Sequence, residues 1–325
     1  MRFLAGWSII LCIVNRDTFE SRLGRGVDVA KLIADVATFY KLGRTYSFKP
    51  VQVGYEDFNV ILETRAGKWF VKVFSIERSA DDIRRYVEVV AKAVEGGVSH
   101  PRLKGDSPLF HNEDYNLYAV CMDYVEGESF YKRSGPDTAE LDSIMREAIT
   151  LHEVNYKPPY IFDVWAVPNI DWLYERVDPT RLGDFEPIIQ AIINEYHQLD
   201  LNQLSTCFVH GDIIKSNVIM SANQPYIVDF SCANMYPKIQ ELAVMAANLL
   251  AKTKHETFDE RVGRVVDSYL RSGGTLSVYE KQAVLPYAKA AVAAELLGSI
   301  YDEGGTEDEA LYWSDLAKDS LAIMK

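Results

Sequence analysis

The sequence predicts an α+β fold in two lobes, a β-rich first lobe with one crossing helix and a mainly helical second lobe. Three observations carry this. Short runs rich in β-branched and aromatic residues cluster between residues 46 and 75. Helical periodicity dominates from Thr138 onward. One stretch inside that helical half, residues 207–230, reads instead as strand, turn, strand, turn, strand. The 325 residues suffice for two core-bearing lobes, and 48% hydrophobic with 25% charged residues is a globular composition.

In chain order, "VDVAKLIADVATFY" (27–40) has apolar residues at helical spacing and stops before Gly43. "YSFKPVQV", "FNVILET" and "KWFVKVFS" follow as strands, parted by the turn-like Gly54-Tyr55-Glu56-Asp57 and Arg65-Ala66-Gly67, so they form an antiparallel meander. "SADDIRRYVEVVAKAVEGG" starts at Ser79 with Asp81 and Asp82 in its first turn, and stops at Gly96-Gly97. Its expected apolar stripe is Ile83, Val87, Val90 and Val94. "YNLYAVCMDYV" is a further strand that runs into a linker, Met122 to Gly127. The helical half then carries "TAELDSIMREAITLHEV", "FEPIIQAIINEYHQL", "IQELAVMAANLLAK", "FDERVGRVVDSYL", "VYEKQAVLPYAKAAVAAELLGSIY" and "EDEALYWSDLAK".

Charge and cysteine usage narrow the function classes. A net charge of −13 argues against a general nucleic-acid binder, since phosphate-backbone binding needs a basic surface. It is compatible with a cationic small substrate, although surface acidity by itself is a common solubility feature. The four cysteines, Cys12, Cys121, Cys207 and Cys232, form no CxxC pair and suggest neither a zinc site nor a disulfide framework, which fits a reducing cytoplasm. The N-terminal "MRFLAGWSIILCIV" has the form of a signal peptide's first two regions but is too short to span a bilayer. Residues 1–26 read as an extra strand, a hydrophobic arm or sequence upstream of the true start, in preference to an export signal. No stable membrane insertion is expected.

The chemistry concentrates in "VHGDIIKSN" and "YIVDFS". Asp212 is followed five positions later by Asn217, and then by Asp229 at the end of the next hairpin. An Asp beside an acceptor hydroxyl can orient it and take its proton. An amide oxygen and a second carboxylate can hold Mg²⁺ against phosphates. The same order and spacing occur in the kinase catalytic loop and its downstream Asp-Phe-Gly, with Ser231 here in the glycine's place. As turn residues alone, these groups would be ordinary caps.

With His210-Gly211-Asp212, the chain resembles the aminoglycoside phosphotransferase and choline kinase branch of the protein-kinase-like fold, over roughly residues 27 to 325. Further residues carry the resemblance in the expected order. Lys72 in "WFVKVF" matches the lysine on the α/β-phosphates of ATP, and Glu88 on the following helix matches its ion-pair partner. Taken alone, Glu88 would be an i,i+4 partner of Arg84. Asp123, Tyr124 and Val125 match the hinge whose backbone pairs with adenine.

The resemblance implies a nucleotide-binding lobe at 27–125 and a lobe at 126–325 with the catalytic loop and acceptor site. It further implies Mg²⁺ on Asn217 and Asp229, and transfer from ATP to the hydroxyl of a small, amine-bearing molecule. The phosphate-covering loop departs from the glycine-rich pattern. Only Gly54 precedes "YEDFN", which is similar to type II homoserine kinases and hydroxylysine kinase-like proteins, and amides near Tyr55 to Phe58 are expected over the phosphates. Lys215 reads either as a catalytic-loop contact to the γ-phosphate or as a surface lysine. His210 reads as scaffold, and Glu241, Trp165, Trp172 and Tyr174 as acceptor-pocket lining or helix packing. The alternative to an enzyme is a catalytically inactive nucleotide-binding pseudokinase acting as a regulatory module.

Overall fold

The computed structural model describes residues 22–51, 56–131, 133–252, 256–301 and 307–324. Residues 1–21 of the expected extension, and Gly54 with Tyr55 of the expected phosphate loop, lie outside the described residues. The chain divides into two compact units: residues 1–79 with 103–124, and residues 80–102 with 125–325.

The first unit is a five-stranded antiparallel sheet in the order β1-β2-β3-β5-β4. The strands are β1 Thr45–Pro50, β2 Phe58–Thr64, β3 Gly67–Val73, β4 Leu109–Asn112 and β5 Leu117–Asp123. Strand side chains alternate between faces. Val60, Leu62, Val71, Val73, Ala119 and Cys121 therefore share one buried face, which the helix Val29–Phe39 covers with Leu32, Ile33 and Val36. Asp28 caps that helix by accepting from the Lys31 N–H at 3.0 Å. The opposite face carries Asn59, Lys72 and Val120 in one cross-strand row and Ile61, Phe70 and Met122 in the next.

The second unit is mostly helical. The helix Ala80–Glu95 belongs to it rather than to the sheet that precedes it in sequence. The physical reason is a buried arginine. Arg85 is 6% exposed. Its guanidinium donates to the Pro159 carbonyl at 2.6 Å, to the Ser231 carbonyl at 3.4 Å, and to the Ala233 carbonyl. The expected stripe is correspondingly displaced. Ile83, Tyr86, Val89, Val90 and Ala93 are buried beside Arg85, while Val94 is exposed. Replacing Arg85 with Met is expected to lower unfolding free energy by about 3–5 kcal/mol, since it strands buried carbonyls that a charged donor now satisfies. Urea denaturation checks this, and a loss under about 1 kcal/mol would refute the anchor.

The strands embedded in the helical unit are β7 Thr206–Val209, β8 Val218–Ser221 and β9 Gln224–Ile227, followed by β10 Asn234–Pro237, with β6 Glu128–Ser129 pairing on β8. β10 returns antiparallel to β7. Ala222 and Asn223 both take positive φ in the turn joining β8 and β9, the geometry of a tight two-residue hairpin. The long helix Val278–Tyr301 packs on the helices Glu186–Tyr196, Ile239–Val244 and Glu307–Ala322. It is long and apolar enough, by length and composition, to cross a membrane. Its alanine-rich faces are instead buried inside this unit.

Candidate active site

In the helical unit the residues between β7 and β8 form a loop held from several sides. His210 is fully buried, and its position fixes its tautomer. Nε2 lies 3.1 Å from the Val228 carbonyl and so donates to it, which leaves Nδ1 to accept from the Asp212 N–H at 3.1 Å. Burial pushes the imidazole down to about 4. It is a neutral scaffold, as its sequence context suggested. Gly211 has φ +81, and a Cβ there would stand 3.4 Å from the Cys232 carbonyl, so both backbone sign and crowding favour glycine.

Glu241 receives the backbone N–H groups of His210 at 2.7 Å and Gly211 at 3.2 Å. It is fully buried, so it anchors the catalytic loop from behind and does not line a pocket.

Asp212 and Asn217 meet as the spacing demanded. Asn217 Nδ2 donates to Asp212 Oδ2 at 2.7 Å and to the Asp212 carbonyl at 3.1 Å. With the amide nitrogen so used, Oδ1 is turned away from Asp212, where it accepts from Ser216 Oγ at 3.0 Å. The Asn217 carbonyl accepts from the Val228 N–H at 2.9 Å, which ties the loop to the segment bearing Asp229. Asp229 sits in the left-handed region at φ 66, a conformation that Asp tolerates better than most residues. Ser231 Oγ donates to Asp229 Oδ1 at 2.6 Å. The serine in the glycine's place therefore orients the expected metal-binding carboxylate.

Burial pushes the Asp212 carboxyl well above the usual carboxylate range, and the negative charges of Asp163, Asp229, Glu295 and Glu241 push the same way. Asp163 and Glu295 had no signal in the sequence. Asp163 accepts from the Trp165 N–H at 3.0 Å. Glu295 takes the Asn248 side-chain amide on Oε1, while Oε2 is buried with no hydrogen-bond partner among the described residues.

Lys215 is corrected by the structure. It is fully buried, and its Nζ donates to the Arg133 carbonyl at 2.7 Å. Its backbone N–H donates to Asn248 Oδ1 at 3.1 Å. It is neither a surface lysine nor a hand extended to the γ-phosphate; it tethers the loop. Trp165 packs on Gly298, Trp172 packs on Phe162 and Tyr301, and Tyr174 donates to Glu186 at 3.1 Å.

In the sheet unit Lys72 is 3% exposed, and its Nζ lies 2.9 Å from Asp57 Oδ2. Asp57, itself 2% exposed, was read as a turn residue in the sequence. Glu88, the expected partner, stands on the helix of the other unit beside Tyr156, whose hydroxyl is pushed up to about 12 by burial and then by the Glu88 carboxylate. Within the sheet unit, Asp57 is a carboxylate in ion-pair range of Lys72. Asn59, opposite Lys72, keeps a buried Oδ1 without a hydrogen-bond partner among the described residues. Asp123 ends β5 opposite Trp69, the Lys68 ammonium lies 3.8 Å from the Tyr124 ring centroid, and Val125 begins the second stretch of the helical unit.

A sheet unit with one buried lysine, and a helical unit with an Asp, Asn and Asp on a paired loop and hairpin, define the class: a protein-kinase-like phosphotransferase. Comparison with known proteins bears this out. The model of the phosphotransferase enzyme family matches residues 47–277, and the chain belongs to that family.

A homoserine kinase of Rhodopseudomonas palustris (strain BisB5) is 23% identical over 205 residues, 61% of this chain. The match spans 62% of that enzyme's length. Among solved structures, the amicoumacin kinase hAmiN in complex with AMP-PNP, Ca²⁺ and Ami superposes with a TM-score of 0.65 at 14% identity. That superposition covers 95% of this chain and 96% of the kinase. The choline kinase LicA of Streptococcus pneumoniae gives 0.63 at 15% identity, over 90% of this chain and 98% of its own. The pseudokinase alternative finds no support in these comparisons.

Proposed function

We propose that the protein transfers the γ-phosphoryl group of ATP to the hydroxyl of a small, amine-bearing acceptor, as a cytoplasmic enzyme. The observation that carries the reaction is the lock of Asn217 onto Asp212, with Asp229 tied alongside through Val228. Lys72 supplies a fixed positive charge for the phosphates. The half-buried Ile61 and Phe70, with Met122 beside them, offer a flat apolar row for a purine.

Among the described residues no trio of His, Cys, Asp or Glu converges as a metal cage. That suits Mg²⁺, which is held through one or two protein oxygens and the phosphates themselves. The donors fit: Asn217 Oδ1 and the Asp229 carboxylate are hard oxygens, each oriented by a neighbouring hydroxyl. Bound there, Mg²⁺ would neutralise charge on the phosphates. Asp212 orients the acceptor hydroxyl and takes its proton, so catalysis is positioning and charge neutralisation.

The acceptor class follows from the carboxylates gathered around Asp212, with Glu295 Oε2 buried and unmatched. An ammonium group on the acceptor would favour the ionised form of these carboxyls, which burial otherwise disfavours. The test is ADP release from Mg-ATP with homoserine, hydroxylysine, choline and an aminoglycoside, each paired with its analogue lacking the amine. Turnover is expected with at least one amine and is expected to fall by about tenfold or more in the matching analogue. Equal turnover of both members refutes the amine requirement, and no turnover with any hydroxyl compound refutes the reading.

A further inference from the structure

We propose that Asp57 is a residue that positions Lys72 for the nucleotide phosphates. The inference rests on the kinase reading above, which gives Lys72 its phosphate role. Asp57 Oδ2 forms an ion pair with Lys72 Nζ at 2.9 Å and has no hydrogen-bond partner among the described residues. Oδ1 accepts from Arg78 Nε and from the Ser75 N–H, each at 2.9 Å. The Asp57 carbonyl accepts from Arg22 Nη1 at 3.3 Å, so the backbone is held as well as the side chain. Arg78 is in turn paired with Glu56. A carboxylate fixed at this many points cannot follow the lysine; it dictates where the ammonium stands. Because both partners are buried, water and salt screen the pair little.

Asp57 touches no substrate in this scheme; it is a positioning residue, and Lys72 is the group that meets phosphate.

The test compares binding of AMP-PNP with Mg²⁺ and of adenosine to Lys72→Met, Asp57→Asn and the double variant Lys72→Met/Asp57→Asn, by titration calorimetry on the full chain. Asp57→Asn is expected to weaken AMP-PNP binding by about tenfold or more, as Lys72→Met does, with adenosine affinity held within about twofold. The double variant, which leaves no unpaired buried lysine, is expected to bind no more weakly than Lys72→Met alone. It keeps the comparison informative should Asp57→Asn fold poorly.

Parent-like AMP-PNP binding by Asp57→Asn, with Lys72→Met impaired, overturns the role of Asp57 and leaves the kinase reading standing. Equal loss of adenosine and AMP-PNP in Asp57→Asn also overturns it, since that marks a structural defect. Parent-like binding by Lys72→Met overturns the phosphate role of the lysine, and the role of Asp57 with it.

Discussion

Replacing Asp212 with Asn is expected to cut phosphoryl transfer by about a thousandfold while AMP-PNP still binds, the size of effect that a positioned proton acceptor provides. The substitution is nearly isosteric. Its side-chain oxygen can still accept the Asn217 amide, which the parent carboxylate receives at 2.7 Å. The backbone links, from Asp212 N–H to His210 Nδ1 and from the Asn217 amide to the Asp212 carbonyl, do not involve the altered group. What disappears is the carboxylate's capacity to take the acceptor's proton. Steady-state ADP release measures the first effect and calorimetric titration with AMP-PNP the second. Parent-like turnover in this variant would sink the assignment. Loss of AMP-PNP binding in parallel with turnover would show that Asp212 acts on nucleotide instead.

How much of this was legible in the sequence depended on how local each signal is. The Asp212, Asn217 and Asp229 set lies within one loop and hairpin, so spacing alone brought it together. The three-strand meander was legible because strand alternation is a period-two pattern. The four-residue strands β4 and β10 carry too few residues for a period to show.

Lys72 was found by its place on a strand, but the carboxylate beside it in the sheet unit was not. Asp57 looks like any turn acid, and its pairing is set by the fold of the sheet. The helix Ala80–Glu95 misled in a related way. Its valines suggested a stripe ending at Val94, and nothing local marks Arg85 as the side chain that goes inside, because its partners are backbone carbonyls 74 and more residues away. Lys215 failed for the same reason, its acceptor being a carbonyl 82 residues earlier. Buried polar groups are specified by distant partners, whereas periodicity reports only local faces.

Burial of Glu241 has a measurable consequence of its own. Burial raises its carboxyl from an ordinary 4.5 to about 7, against the lowering effect of the His210, Gly211 and Ile213 backbone amides. The folded state therefore holds this proton up to about 7, and the unfolded chain releases it near 4.5. Between those values the folded state binds more protons, so the group's contribution to stability falls as pH rises. The loss sums to about 3 kcal/mol above neutral pH.

Glu241→Gln is neutral at every pH and escapes that loss. It also sets an NH₂ group against the backbone amides that the carboxylate accepts, so one of them goes unpaired. The variant is expected to gain on the parent by about 3 kcal/mol in unfolding free energy between pH 4.5 and 7.5. At neutral pH it is expected to turn over about a hundredfold more slowly, because the loop bearing Asp212 is no longer held in register. Urea unfolding of both proteins across that range, with turnover measured in parallel, checks the two halves separately. A stability difference that does not change with pH would show that Glu241 is ionised in the fold at every pH tested. Unchanged turnover would show that the loop keeps its position without the carboxylate.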